Sequence, residues 1–318
     1  MERRPVFIDC DPGIDDAVAL MMAFQAAELD VRGISAVAGN VGLERTLGNA
    51  LKIVELSGAA APVYAGADRP MFGAPITAEH FHGEDGLLGA ELPAPVRMPE
   101  AGPAWEALRR EAEAWGGALE VVAPGPLTNL GIALSLYPEL AGLVRCVTMM
   151  GGAAAFGNTT PAAEFNVLAD PEAAELVFRS GIPVVMCGLD VTHSTYITAR
   201  EVEKLAALGS VQARLAAYFM GSGIEENARQ FRTGGAPLHD PCAMMYAIDR
   251  SLFKSKPCWI GVERHGKVTR GKTVTDAYSD AKRTANARLV TGSDREGFIR
   301  RMMELFVGYG SEMPDEKF

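Results

Sequence analysis

A chain of 318 residues, 48% hydrophobic and 22% charged, is long enough to bury a sizeable core and too apolar to stay disordered. Its net charge of -10, with no Lys/Arg run beyond pairs such as Arg3-Arg4, Arg109-Arg110 and Arg300-Arg301, argues against DNA or RNA as a partner, since a nucleic-acid polymer needs a basic footprint. Cys10, Cys146, Cys187, Cys242 and Cys258 are odd in number and form no CxxC pair, so buried thiols are expected rather than disulfides or a zinc knuckle.

The chain opens on a short apolar run at 6–8 that stops at acidic, Gly and Pro residues. A helix is predicted at 17–27 and a second strand at 31–38, ending at Gly39-Asn40. Residues 43–57 fit a helix with Leu47, Leu51 and Val54 on its apolar side. The segment 72–103 is rich in Gly and Pro, lacks a steady period and carries His80, His82, Glu84 and Asp85. It reads as an active-site loop, because long irregular loops in compact domains tend to be functional or disordered.

A buried strand follows at 119–123, then Pro124-Gly125-Pro126 and a helix from about Leu127. Further strands are predicted at 144–150, ending in Gly151-Gly152, and at 183–187. The last third reads as more helical, with a hairpin of 258–264 and 267–276 turning at His265-Gly266, and a closing helix at 298–307. Strands alternating with helices predict an α/β fold: one doubly wound, mostly parallel open sheet, Rossmann-like, with helices on both faces. No repeat or linker divides the chain, so a single domain over 1–318 is expected. No apolar stretch of ~18 residues occurs, which predicts a cytoplasmic protein without membrane association.

The strongest feature is Asp9-Cys10-Asp11-Pro12-Gly13-Ile14-Asp15-Asp16, four carboxylates within eight residues. No Lys or Arg lies between Pro5 and Val31 to neutralise them. Like charges at this density are unfavourable unless a cation sits among them. Carboxylates with carbonyl partners suit Ca²⁺ or Mg²⁺ rather than zinc. Helix capping explains one or two of these side chains, not all four. Asn40, Asn129, Glu164, Asn166, Asp170, Asp190, His193 and the pair His239-Asp240 fall at other strand ends or helix starts. Together they suit a polyhydroxylated ligand such as ribose.

These motifs resemble the inosine–uridine-preferring nucleoside hydrolase family. The acidic turn, Gly39-Asn40, Pro124 to Asn129, Met150-Gly151-Gly152, Glu164-Phe165-Asn166 and His239-Asp240 stand in the family's order across nearly the whole chain. The resemblance implies hydrolysis of the N-glycosidic bond of free ribonucleosides, of inosine/uridine or pyrimidine type. It also implies one Ca²⁺, with a Ca²⁺-bound water as nucleophile. Asp11, Asp16 and Asp240 would hold the ion with the Pro124 carbonyl. Asp15, Asn40, Glu164 and Asn166 would bind ribose, Met150 would lie against the sugar, and His82 and His239 would approach the base. Asp11 beside the water is then the natural general base, and His239 the candidate acid. A homodimer or homotetramer is implied by the resemblance alone. The residues covering the base are expected within 218–232, with Tyr218 and Phe231 as candidates for stacking.

Two rivals compete with this reading. Asp-x-Asp after a strand also opens phosphatases of the haloacid-dehalogenase type, although two further Asp and no Lys at the turn would repel phosphate. A nucleoside sensor with structural Ca²⁺ is the other, disfavoured by the presence of both Asp11 and His239.

Overall fold

The run Arg4–Cys10 becomes the first strand, β1, and every residue after Arg4 is buried. Val6, Ile8 and Cys10 join one apolar layer and Phe7 the other, as alternation along a strand dictates. Burial on both faces is what an interior strand of a parallel sheet requires, hence the continuous apolar run. The structure, a computed structural model, describes residues 3–224, 234–276 and 283–310.

The remaining strands are β2 (Leu29–Ala36), β3 (Val63–Ala65), β4 (Leu119–Ala123), β5 (Val144–Met150), β6 (Val184–Cys187), β7 (Tyr196–Ile197), β8 (Ala236–Pro237), β9 (Phe253–Val262), β10 (Thr273–Asp276) and β11 (Ala287–Ser293). Among the described residues, nine of them form one sheet in the order β10-β9-β11-β6-β5-β4-β1-β2-β3. From β3 across to β11 the neighbours pair parallel, and β9 pairs antiparallel with both β11 and β10.

The chain moves outward from β1 through β2 and β3, then returns to the other side of β1 and moves outward through β4, β5 and β6. Such a reversal opens a crevice at the carboxyl ends of the two central strands. Asp11 follows β1 there and Pro124 follows β4. Helices Ile14–Gln25 and His239–Ile248 pack together on one face of the sheet. Helices Ala104–Trp115, Thr128–Leu136 and Pro171–Arg179 cover the other. No helix among the described residues is long and apolar enough to cross a membrane.

The expected elements form, with shifted ends. The first helix begins at Ile14 rather than residue 17, because the acidic turn itself is its first turn. Segment 72–103 is irregular apart from one helical turn at Glu79–His82. The hairpin differs from the expectation of a tight turn at His265-Gly266: β9 ends at Val262 and β10 begins at Thr273. Its connection closes on itself instead. The Glu263 carboxylate accepts the N–H groups of His265 and Gly266 at 2.8 and 3.0 Å, and Gly271 N–H donates to the Glu263 carbonyl at 2.7 Å. Strands β3 and β11 and the helices Ala104–Trp115 and Pro171–Arg179 are additions to the elements read from sequence.

Candidate active site and metal centre

The acidic turn folds around its own carboxylates. Asp16 accepts the N–H of Asp11 at 3.2 Å and of Gly13 at 3.1 Å, which turns the chain from β1 into the helix. Asn40, at the end of β2, donates its N–H to Asp11 Oδ2 at 2.8 Å. Its side-chain Nδ2 donates to the Asp11 carbonyl at 3.1 Å and to Asp16 Oδ2 at 3.0 Å. Gly13 is required by close approach: a Cβ there would stand 2.4 Å from His82 Nδ1 and 2.7 Å from Asn40 Nδ2.

Asp240, on the first turn of His239–Ile248, completes the cluster. Carboxylate oxygens of Asp15, Asp16 and Asp240 lie within 4.8 Å of one another. Burial holds the carboxyl groups of Asp11 and Asp240 well above the usual range, with further upward pressure from neighbouring Asp charges. It raises Asp15 and Asp16 to about 6. Asp15 Oδ1 is buried without a hydrogen-bond partner. Among the described residues, no Lys or Arg lines the cavity to balance these charges. An all-oxygen set of buried, mutually repelling carboxylates fits a hard divalent cation.

The cavity at this crevice has a volume of about 540 Å³. Asp11, Asp15, Asn40, His82, Pro124, Met150, Glu164, Asn166, His239 and Asp240 all line it. Asp16 is fully buried and is not part of its wall. Pro124, Met150 and Asn166 are tied together: Asn166 Nδ2 donates to the Pro124 carbonyl and to the Met150 carbonyl, the latter at 3.2 Å. Glu164 caps the short helix Phe165–Ala169, accepting from the N–H groups of Asn166 at 2.9 Å and Val167 at 3.1 Å.

Of the cavity histidines, His82 is buried and His239 partly buried. His82 Nδ1 accepts the Ile14 N–H at 3.2 Å, which leaves the ring hydrogen on Nε2. Burial lowers its pKa to about 4. His239 Nδ1 lies 2.9 Å from Thr192 Oγ1. Burial, then the neighbouring His193 and His82, lower the His239 pKa to about 3, so the ring is neutral at pH 7.

Some polar residues noted at strand ends hold the scaffold rather than the cavity. Asn129 donates to Asp9 Oδ1 at 2.8 Å and accepts the Ala67 N–H at 2.8 Å. Asp170 accepts from Thr128 Oγ1 at 2.8 Å and caps Pro171–Arg179. Burial pushes the Cys10 thiol far up, as befits a packed side chain rather than a nucleophile. Tyr218 is 43% exposed, donates its hydroxyl to the Leu88 carbonyl at 2.9 Å and does not line the cavity. Phe231 lies outside the described residues, as does most of 218–232 from residue 225 on.

The sequence pattern described as inosine–uridine preferring nucleoside hydrolase matches residues 6–300. The chain belongs to this family. This nucleoside hydrolase is 40% identical over 311 residues to a pyrimidine-specific ribonucleoside hydrolase RihA of Shewanella sp. (strain ANA-3), covering 96% of this chain and 97% of that one. It is 42% identical over 305 residues to the RihA of Salmonella enteritidis PT4, covering 94% and 97%. Among solved structures, the purine-preferring ribonucleoside hydrolase from Gardnerella vaginalis superposes with a TM-score of 0.90 at 30% identity, covering 97% of this chain and 99% of that one.

The cavity wall of the nucleoside hydrolase also includes Ala78, His80 and Phe81, from the segment expected to be an active-site loop, Phe165 from the Glu164-Phe165-Asn166 motif, and Asn158 and Thr159, which the sequence did not single out. Asn158 and Thr159 sit in an Ala-, Gly- and Pro-rich loop after β5, where single polar residues look like ordinary turn formers.

Glu164 makes a stability prediction possible. Its pKa is raised by burial from 4.5 to about 7. Between those values the native state binds the proton more tightly than the unfolded chain, so stability contributed by this group falls as pH rises. In EDTA, urea unfolding of wild type and Glu164→Gln should show their stability difference moving by roughly 3 kcal/mol, against the wild type, from pH 4.5 to 8. A pH-independent difference would mean that Glu164 is not perturbed.

Proposed function

We propose that this nucleoside hydrolase uses water and Ca²⁺ to cleave the N-glycosidic bond of free pyrimidine ribonucleosides, uridine and cytidine first. The observation that carries the reading is one cavity walled by Asp11, Asp15 and Asp240 together with Asn40, Glu164 and Asn166, above the buried Asp16. Asp11, Asp16 and Asp240 would hold the ion with the Pro124 carbonyl; Asp16 and Asp240 belong to the carboxylate group brought within 4.8 Å, whose third member is Asp15, while Asp11 lines the same cavity. When bound, Ca²⁺ anchors the sugar hydroxyls and lowers the pKa of a water molecule.

The protein's own groups do the rest. Asp15, Asn40, Glu164 and Asn166 hydrogen-bond the ribose, and Met150 lies against it. Departure of the base leaves positive charge on the sugar, as in glycoside hydrolysis. The surrounding carboxylate and amide oxygens stabilise that charge as it develops. Asp11 removes a proton from the attacking water. His239 serves the departing base: in the tautomer assigned to it by this mechanism, Nδ1 accepts from the Thr192 hydroxyl and Nε2–H hydrogen-bonds or protonates the base. A neutral imidazole can do this as a fixed donor without first being charged. His82 approaches the base with its own Nε2–H.

The absence of Lys and Arg from the described cavity wall favours a nucleoside over a nucleotide. The relatives at 40–42% identity, named pyrimidine-specific, support the base preference. A panel of uridine, cytidine, inosine, adenosine, guanosine and uridine 5′-monophosphate tests both. Uridine and cytidine should exceed the purine nucleosides in kcat/KM by about tenfold or more, and the monophosphate should fall about a hundredfold below uridine. Inosine as the fastest substrate would overturn the pyrimidine preference. Release of phosphate from p-nitrophenyl phosphate would favour a phosphatase.

A further inference from the structure

Glu164 is aimed by a backbone segment that is gripped from outside the cavity. Its carboxylate accepts the Gly152 N–H at 2.8 Å. Gly152 begins a loop in which three alanines, Ala153, Ala154 and Ala155, follow in succession. Alanine side chains offer no polar anchor, so the path of this loop is set by what binds its backbone.

One ammonium reaches all three carbonyls, and the Thr273 hydroxyl also donates to that of Ala153 at 2.8 Å. Lys272 Nζ donates to the oxygens of Ala153, Ala154 and Ala155 at 3.0, 3.1 and 3.1 Å. Three donors thus meet three acceptors. The N–H groups are held from other elements. Thr273 Oγ1 accepts from Ala153 at 2.8 Å, and the Asp190 carboxylate accepts from Ala154 at 2.7 Å and Ala155 at 3.2 Å. Leu189 N–H donates to the Gly152 carbonyl at 2.9 Å. Apart from the Gly152 N–H, which Glu164 accepts, every backbone polar group from Gly152 to Ala155 is satisfied by residues at the start of β10 and just after β6.

Gly152 has φ +70, and a Cβ there would meet Thr273 Cγ2 at 2.7 Å, so the segment is also pressed tightly against β10. A short way along the same loop, Asn158 and Thr159 reach the cavity wall.

We propose that Lys272 and Asp190 form a two-sided brace on residues 152–155 that positions Glu164 for the ribose. They are positioning residues, touching no substrate; the inference rests on the hydrolase reading above. Lys272→Met keeps the stem and removes all three donors. Through Glu164 it loosens a grip on the sugar, so the loss appears in KM rather than in kcat.

The test has two arms. In hydrogen exchange on the full chain, Lys272→Met should speed exchange of the amides of residues 153–155 about tenfold or more, with β1 and helix Ile14–Gln25 unchanged. In kinetics on uridine, the same variant should raise KM about tenfold with kcat altered less than about threefold. In a Glu164→Gln background the KM effect should shrink to less than about twofold, because the two act through one path. Unchanged exchange overturns the brace. Faster exchange with an unchanged KM, or a full KM effect in the Glu164→Gln background, overturns its link to the sugar. A wild type inert toward every nucleoside would remove the hydrolase reading and with it the role in ribose positioning, while the exchange arm would still report the brace.

Discussion

Asp11→Ala is expected to lower ribose release by more than about 10⁴-fold, beyond the roughly 10²–10⁴-fold that loss of a general base alone typically costs. The side chain has two functions in the proposed mechanism, which is why the effect is large. It is 1% exposed, and the proposed mechanism assigns it both to the cation and to the attacking water. Ca²⁺ affinity should fall with activity, because one negative ligand is gone. Asp11→Asn separates chemistry from folding: it keeps the shape and an oxygen for the Asn40 N–H, and removes the charge that Asp16 and Asp15 repel. Measured by thermal unfolding in EDTA, this variant should be at least as stable as wild type. Near-normal turnover by either variant would contradict the assignment of both metal ligand and base.

His239→Ala should slow uridine and cytidine by about 10²–10⁴-fold while slowing p-nitrophenyl riboside by less than about tenfold. The difference arises in the leaving group. A departing pyrimidine gains from a hydrogen bond or proton, whereas p-nitrophenolate leaves unaided. Burial, with His193 and His82 nearby, lowers the His239 pKa to about 3, and in the proposed mechanism the neutral ring serves the base through its N–H. Its alignment comes from Thr192 at 2.9 Å, so the ring is held before substrate arrives. Equal losses on natural and p-nitrophenyl substrates would mean that His239 does not serve the leaving base.

The sheet was legible because its central strands carry apolar runs closed by Gly, Pro or acidic residues, as at Val6 to Asp9 and Val121 to Gly125. The cavity was legible through the acidic turn, whose charge density has no local remedy in the chain. Helix Ala104–Trp115 was missed because it follows a long irregular segment, and its buried stripe is only Ala104, Ala107, Leu108 and Ala112. Strand β3 is three residues long and leaves no periodic trace. The distinction between cavity and scaffold was not legible either. Asn40 and Asn129 both follow strands, yet Asn40 lines the cavity and Asn129 locks Asp9 to the loop at Ala67. That difference is decided by which face of the crevice each side chain meets, a tertiary fact. Lys272 carried no signal at all, since its partners are backbone carbonyls more than a hundred residues away in sequence.

The most direct test of the central claim is ribose release from uridine by protein treated with EDTA, desalted, and assayed with and without added Ca²⁺. Chelation is expected to abolish release, and added Ca²⁺ to restore it. Undiminished release from protein shown to be free of metal, or none from folded protein loaded with Ca²⁺, would contradict that claim.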